Sequence, residues 1–256
     1  MAEVEWRRMR AEELVELAGR DPIAILPIGA LEQHGPHLPV EVDALLGEEV
    51  ALRTARLLDR QGIAVTVLPM LWAGVSEHHM SLGGTITLSH AAMAAVVGDI
   101  CRSLVRQGFR RIVLFNAHGG NEAPLRAIAR DLSPDLGAAL VQLTYWLAAA
   151  EVVKPLLESQ SNVGHACEAE TAMMLALRPE LVASDRITPD MDESDPAETA
   201  AVEGFYRWRS MAASTGSGVL GRPQAATAAT GEALLAAIPQ RLAEKLAAPL
   251  LWSMSV

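Results

Sequence analysis

Hydrophobic and polar positions follow two rhythms along this chain. Short continuous apolar runs bounded by Gly, Pro or polar clusters read as buried strands: Ala24 to Ile28, Ile63 to Met70, Arg111 to Asn116 and Ala138 to Leu143. Between them apolar residues recur every three or four positions, the spacing of a helix that buries one face. That spacing predicts helices over residues 10–19 and 44–61, the second halted before Gly62. A helix from His90 to Gln107 would be capped by Ser89 and stopped by Gly108. Further helices are predicted over 124–132, 146–157, within 164–177 up to Pro179, and over 225–246, where Pro239 offers a break. Strand and helix in alternation predict an α/β protein with a mostly parallel sheet covered on both faces. One domain spanning 1–256 is expected, because the acidic stretch from Ala183 to Glu203 is flanked by segments of the same style.

The chemistry concentrates first in Pro27 to Asp43, PIGALEQHGPHLPVEVD, which is too rich in Gly and Pro to be helical. It follows the first predicted strand, so Glu32 and His34 fall just past a strand's C-terminal end, where open α/β sheets bind ligands. In extended chain Glu32 and His34 share a face. Asp43 arrives after a Pro-stiffened loop, at the start of the next helix. Carboxylates and imidazole together suit Zn, Mn or Fe. The alternative is a polar loop with its charges in water.

Charge and cysteine usage narrow the classes. The net charge is −10 and Lys/Arg clusters are lacking, which argues against a nucleic-acid partner. Two cysteines, Cys101 and Cys167, do not make a disulfide framework, and a reducing cytoplasm is expected. The N-terminal MAEVEWRRMRAEEL has no signal-peptide core, and no window is long and apolar enough to predict a membrane span.

Six of the seven histidines lie in four loop motifs; His90 alone stands outside them. The second motif is GVSEHHMSLGGT at 74–85, and the third is NAHGGNE at 116–122, where His118 leaves a strand tip. The fourth is GHACEAE at 164–170, where His165 and Glu168, three apart, would share a helical face. Each residue alone has an ordinary reading: His118 as a hydrogen-bonded core histidine, Glu168 or Glu170 as a solvated helix residue, Cys167 as a small buried side chain. Their recurrence at strand ends, which share one rim, favours a common site.

Four motifs carry a resemblance to the creatininase (creatinine amidohydrolase) family: GALEQHGPHLPVEVD at 29–43, GTITL at 84–88, NAHGGN at 116–121 and GHACEAET at 164–171. GVLGRPQAATAATGE, ending at Glu232, is a weaker echo. The resemblance implies an α/β/α sandwich, two divalent metal ions, hydrolysis of C–N amide bonds, a small-molecule amide substrate and a homo-oligomer, often a hexamer. It implies that Glu32 binds one metal and His34 the other, that Asp43 bridges them, that His118 joins the metal of Glu32, and that His165 shuttles a proton.

Two departures bear on the site. The metal-binding glutamate that creatininase carries two residues after the third-motif histidine is replaced here by Gly120, and the preceding Tyr by Gly119. A ligand swap is expected, with Glu168 as fifth ligand and a catalytic partner, and Glu170 orienting a ligand from outside. The second loop reads Ser76-Glu77-His78-His79 where many relatives have Ser-x-Glu-His. Ser76, His78, His79, Asn121 and Trp146 are expected to line the substrate pocket. Cleavage of a small cyclic or linear amide is the leading expectation. A formamide deformylase, a peptidase of the same family and a non-catalytic metal-binding oligomer are the alternatives.

Overall fold

The computed structural model describes residues 2–189, 191 and 207–253; most of the acidic stretch lies outside them. α1 (Ala11–Ala18) leads into β1 (Ile23–Ile28), then α2 (Val42–Arg60) and β2 (Val65–Val67). α3 (His90–Arg106) is followed by β3 (Arg111–Asn116), α4 (Glu122–Leu136) and β4 (Ala139–Thr144). Two single-turn helices follow, α5 (Tyr145–Ala148) and α6 (Ala150–Val153), then α7 (Glu168–Leu177) and α8 (Ala228–Leu246).

The sheet is four-stranded and wholly parallel, in the order β2-β1-β3-β4. β1 and β3 are buried almost throughout, as central parallel strands must be, so both read as unbroken apolar runs. Their side chains alternate between two cores. Ile23, Ile25, Val113 and Phe115 join α2, α7 and α8 on one face. Ala24, Leu26, Ile28, Ile112 and Leu114 join α1, α3 and α4 on the other. The result is the expected three-layer α/β/α sandwich.

The chain leaves β1 toward β2 on one side and later returns through α3 to β3 on the other. The crevice above the C-terminal ends of β1 and β3 is therefore the topological switch point, where such sheets bind ligands. Three predicted elements differ from the structure. The second strand shrinks to three residues, because the chain turns away from the sheet into the Leu68–Ser89 loops. The helix expected over 146–157 is two separate turns, α5 and α6, running into a 3-10 turn at Pro155. α8 continues through Pro239 without a break.

α7 lies along α8, and Gly231 sets how closely. A Cβ at Gly231 would collide with the Ala172 carbonyl. Gly231→Ala should therefore push α8 off α7 and lower the unfolding free energy by about 1–3 kcal/mol, the usual cost of overpacking, read by equilibrium urea denaturation.

Candidate metal centre

Five segments converge on the switch point. Glu32 and His34 come from the loop after β1, and Asp43 is the second residue of α2. His118 follows β3, His165 precedes α7, and Glu170 lies in its first turn. Ala166, between His165 and α7, takes a left-handed φ of 50°, a strained turn that aims His165 one way and the helix another. Glu32 and His34 are fully buried, and His118, Asp43 and Glu170 nearly so.

Three histidines are oriented by one device. His34 donates from Nδ1 to the Glu32 carbonyl at 3.1 Å. His118 donates from Nε2 to the Val75 carbonyl at 3.1 Å, with Ser76 Oγ alongside at 3.2 Å. His165 donates from Nε2 to the Gln33 carbonyl at 2.8 Å. A carbonyl oxygen can only accept, so each of these nitrogens carries the proton. The opposite nitrogen of each ring then faces carboxylates. His34 Nε2 lies 3.2 Å from Asp43 Oδ1 and 4.0 Å from Glu170 Oε1. His118 Nδ1 lies 2.9 Å from Asp43 Oδ2 and 3.2 Å from Glu32 Oε1. His165 Nδ1 lies 3.6 Å from Glu32 Oε1.

Acceptor facing acceptor in a buried site requires a cation between them. Glu32 Oε1 and Oε2, His34 Nε2 and Asp43 Oδ2 are buried with no hydrogen-bond partner. Each such orphan costs about 1–3 kcal/mol. The donor atoms form three ligand-capable triads, each within 4.8 Å: Glu32–Asp43–His118, His34–Asp43–Glu170 and Glu32–His34–His165. A ring nitrogen free toward carboxylates with its other N–H on a carbonyl is how proteins present histidine to a metal. The residues present thus fit divalent ions.

The electrostatics agree. Burial disfavours charge on His34, but Asp43, Glu170 and Glu32 outweigh it and raise its pKa to about 9. His118 is raised well above the ordinary range against the same burial, by Glu32 and Asp43. Burial raises Glu170 to about 7, with His34 pulling the other way. Burial would raise Glu32 too, yet His118, His79 and His165 hold it well below the usual carboxylate range. With no metal, protons are drawn into the places that cations fit.

Several expected site residues have other partners. Glu168 is not in the cluster: its carboxylate accepts from Glu158 N at 2.7 Å, Ser159 N at 2.9 Å and the Ser159 hydroxyl. Two residues along a helix point to nearly opposite sides, so the helix that turns Glu170 inward turns Glu168 to the 158–159 loop. Glu170, expected to orient a ligand, stands in the place expected for Glu168. Asn121 is a strut, donating to the Gly29 carbonyl at 2.9 Å and accepting from Val75 N at 2.8 Å. Ser76 is fully buried behind His118, and His79 is buried against Gln33 and Glu32. Trp146 packs edge-on against Tyr145 and the core. Of the expected pocket residues only His78 is half-exposed beside the cluster, stacked on His118 with ring centroids 5.7 Å apart.

The departures at the third motif also have a shape. A Cβ at Gly120 would collide with the Val75 carbonyl, His118 Nε2 and His78 Cε1, so a side chain has no room there. Gly119 is exposed, and a Cβ there would meet nothing within 4 Å. Sequence reasoning missed Gln33. Its position between Glu32 and His34 was the available signal, but its contacts come from segments far along the chain.

A parallel α/β/α sandwich with carboxylates and imidazoles gathered over its switch point is the framework of a metallohydrolase. The chain belongs to the creatininase family, whose model, described as creatinine amidohydrolase, matches residues 7–246. It is a hydrolase acting on C–N bonds. It is 32% identical over 228 residues to a creatinine amidohydrolase of Pseudomonas putida, covering 78% of this chain and 84% of that one. It is 31% identical over 222 residues to a mycofactocin precursor peptide peptidase of Mycobacterium ulcerans, covering 84% and 80%. A crystal structure of creatinine amidohydrolase superposes with a TM-score of 0.78 at 29% identity, covering 96% and 97%. Solved creatininases include a Zn–Zn form and a Mn form. Among the described residues no helix is long and apolar enough to cross a membrane.

Metal analysis of variants separates the two glutamates. Glu170→Gln and Asp43→Ala should each lower metal content, Asp43→Ala the more, and Glu168→Gln should leave it unchanged while losing thermal stability. Full metal retention in Glu170→Gln would remove Glu170 from the ligand set.

Proposed function

We propose that the protein is a two-metal amidohydrolase that cleaves the C–N bond of an extended, linear amide. The observation that carries this reading is Asp43, whose two carboxylate oxygens face His34 on one side and His118 on the other. Glu32, Asp43 and His118 would hold one divalent ion, and His34, Asp43 and Glu170 the second. When bound, such a pair polarises the amide carbonyl and lowers the pKa of water toward neutrality. Zinc, manganese or iron suits this oxygen-and-imidazole donor set.

The chain's own groups handle protons and placement. With Nε2 committed to the Gln33 carbonyl, His165 offers Nδ1 to the reacting atoms. Nδ1 takes a proton from water as its oxygen bonds to the carbonyl carbon. It then delivers that proton to the nitrogen as the C–N bond breaks. Ser76 and Val75 fix the His118 ring, and Gln33 fixes His165, so both keep their geometry through the reaction.

The substrate class rests on the rim. Gly119 leaves open space next to His118, and His78 stacks on the His118 ring. No aromatic side chain in the third motif or in residues 159–164 covers that space, and Trp146 is packed on Tyr145. A flat ring such as creatinine would be held loosely, and poor positioning alone costs on the order of 10²-fold. An extended amide fills the opening, a reading supported by the similarity to peptide peptidases. Formamides are the second class to test.

His165→Ala should lower kcat by roughly 10²–10⁴-fold with metal content retained. Loss of metal instead would make His165 a ligand, as the Glu32–His34–His165 triad allows. At matched zinc or manganese loading, peptide-like amides should turn over faster than formamides and creatinine. Creatinine turning over fastest would overturn the proposed substrate class.

A further inference from the structure

A fourth imidazole reaches the cluster and is treated differently from the other three. His79 Nε2 lies 3.3 Å from Glu32 Oε1, the same oxygen that His118 and His165 approach. Its opposite nitrogen meets an amide, not a carbonyl: Gln33 Nε2 is 2.8 Å from His79 Nδ1.

The orientation of that amide follows from its other partners. Gln33 Oε1 accepts from Gly35 N at 2.9 Å, and Gln33 Nε2 donates to the Gly218 carbonyl at 3.2 Å. Reversing the amide would set oxygen against the Gly218 carbonyl and N–H against the Gly35 N–H, losing both bonds. One hydrogen of Nε2 therefore goes to Gly218 and the other to His79 Nδ1. Gln33 Nε2 also lies 3.0 Å from His165 Nε2, but both atoms carry hydrogens, and that of His165 goes to the Gln33 carbonyl. Gly218 makes room for the amide, since a Cβ there would collide with Gln33 Oε1.

We propose that Gln33 is a positioning residue that sorts the site's histidines into two kinds. Its backbone carbonyl makes His165 present a bare Nδ1, and its side-chain amide makes His79 present Nε2–H. His79 thereby turns a proton, and not a lone pair, toward Glu32 Oε1 at 3.3 Å and is kept from ligating. The consequence for metal binding rests on the two-metal reading, but the protonation pattern does not.

The test uses the full-length chain labelled with ¹⁵N-histidine, metal-free and zinc-loaded, with tautomers read from two-bond ¹H–¹⁵N couplings. In the wild type, His79 should carry its proton on Nε2 in both states. Gln33→Glu replaces the donor with an acceptor, so the His79 proton should appear on Nδ1. His165 should keep its Nε2 proton, because a backbone carbonyl holds it. In zinc-loaded Gln33→Glu, the bared His79 Nε2 should show a metal-bound shift, and kcat should fall roughly 10–100-fold, as for other partners that orient metal ligands. Gln33→Met, which keeps the volume and removes the amide, serves if the glutamate variant does not fold. It should leave His79 as a mixture of tautomers. Wild-type His79 protonated on Nδ1, or either variant leaving the His79 pattern unchanged, would overturn the proposal. A chain that binds no metal but shows the stated tautomers would instead count against the two-metal reading alone.

Discussion

The structure is organised around a shortage of hydrogen-bond donors. Over the switch point Glu32, Asp43 and Glu170 are buried beside ring nitrogens already turned away from their own protons. Buried carboxylates are costly unless paired, and here the ring nitrogens of His34, His118 and His165 that approach them are other acceptors. Positive charge has to come from outside the chain, and the raised pKa values of His34 and His118 record the same demand met by protons. Carbonyl groups of Glu32, Gln33 and Val75 enforce this polarity, so it is built into the backbone and not into side-chain choice alone.

Much of this was legible in the sequence because it depends on local pattern. β1 and β3 are apolar runs with Gly and polar residues at their ends, and the motifs follow those ends directly. Glu32, His34, Asp43 and His118 lie together for that reason, each just past a strand end or at a helix start. The error at Glu168 is also local in origin. The boundary of α7 at Cys167 fixes which glutamate faces inward, and a one-residue uncertainty at a helix start rotates every side chain by about 100°.

The remaining misses are tertiary. Asn121, Ser76 and His79 look like pocket residues in a His-rich loop, but their polar atoms are taken by the Gly29 carbonyl, His118 and Gln33, 92, 42 and 46 positions away in sequence. Gln33 shows the converse: an uncharged residue between two obvious ligands, whose importance rests on a contact 185 residues distant. The shortened second strand belongs here too, since the turn away from the sheet at Leu68 carries the loop back over the site.

The Asn121 strut ties the end of β1 to the second loop from the start of α4, and thus closes the crevice at its base. The cluster accordingly has a fixed floor and a separable rim. The histidine rings are anchored below to carbonyls, and Asp43 and Glu170 to helix starts. At the rim, Gly119 is exposed, and a side chain there would meet nothing of that floor. Changes there can reshape what enters without disturbing what reacts. Such a division lets one scaffold serve relatives named for a small ring and for a peptide at about 30% identity to this chain.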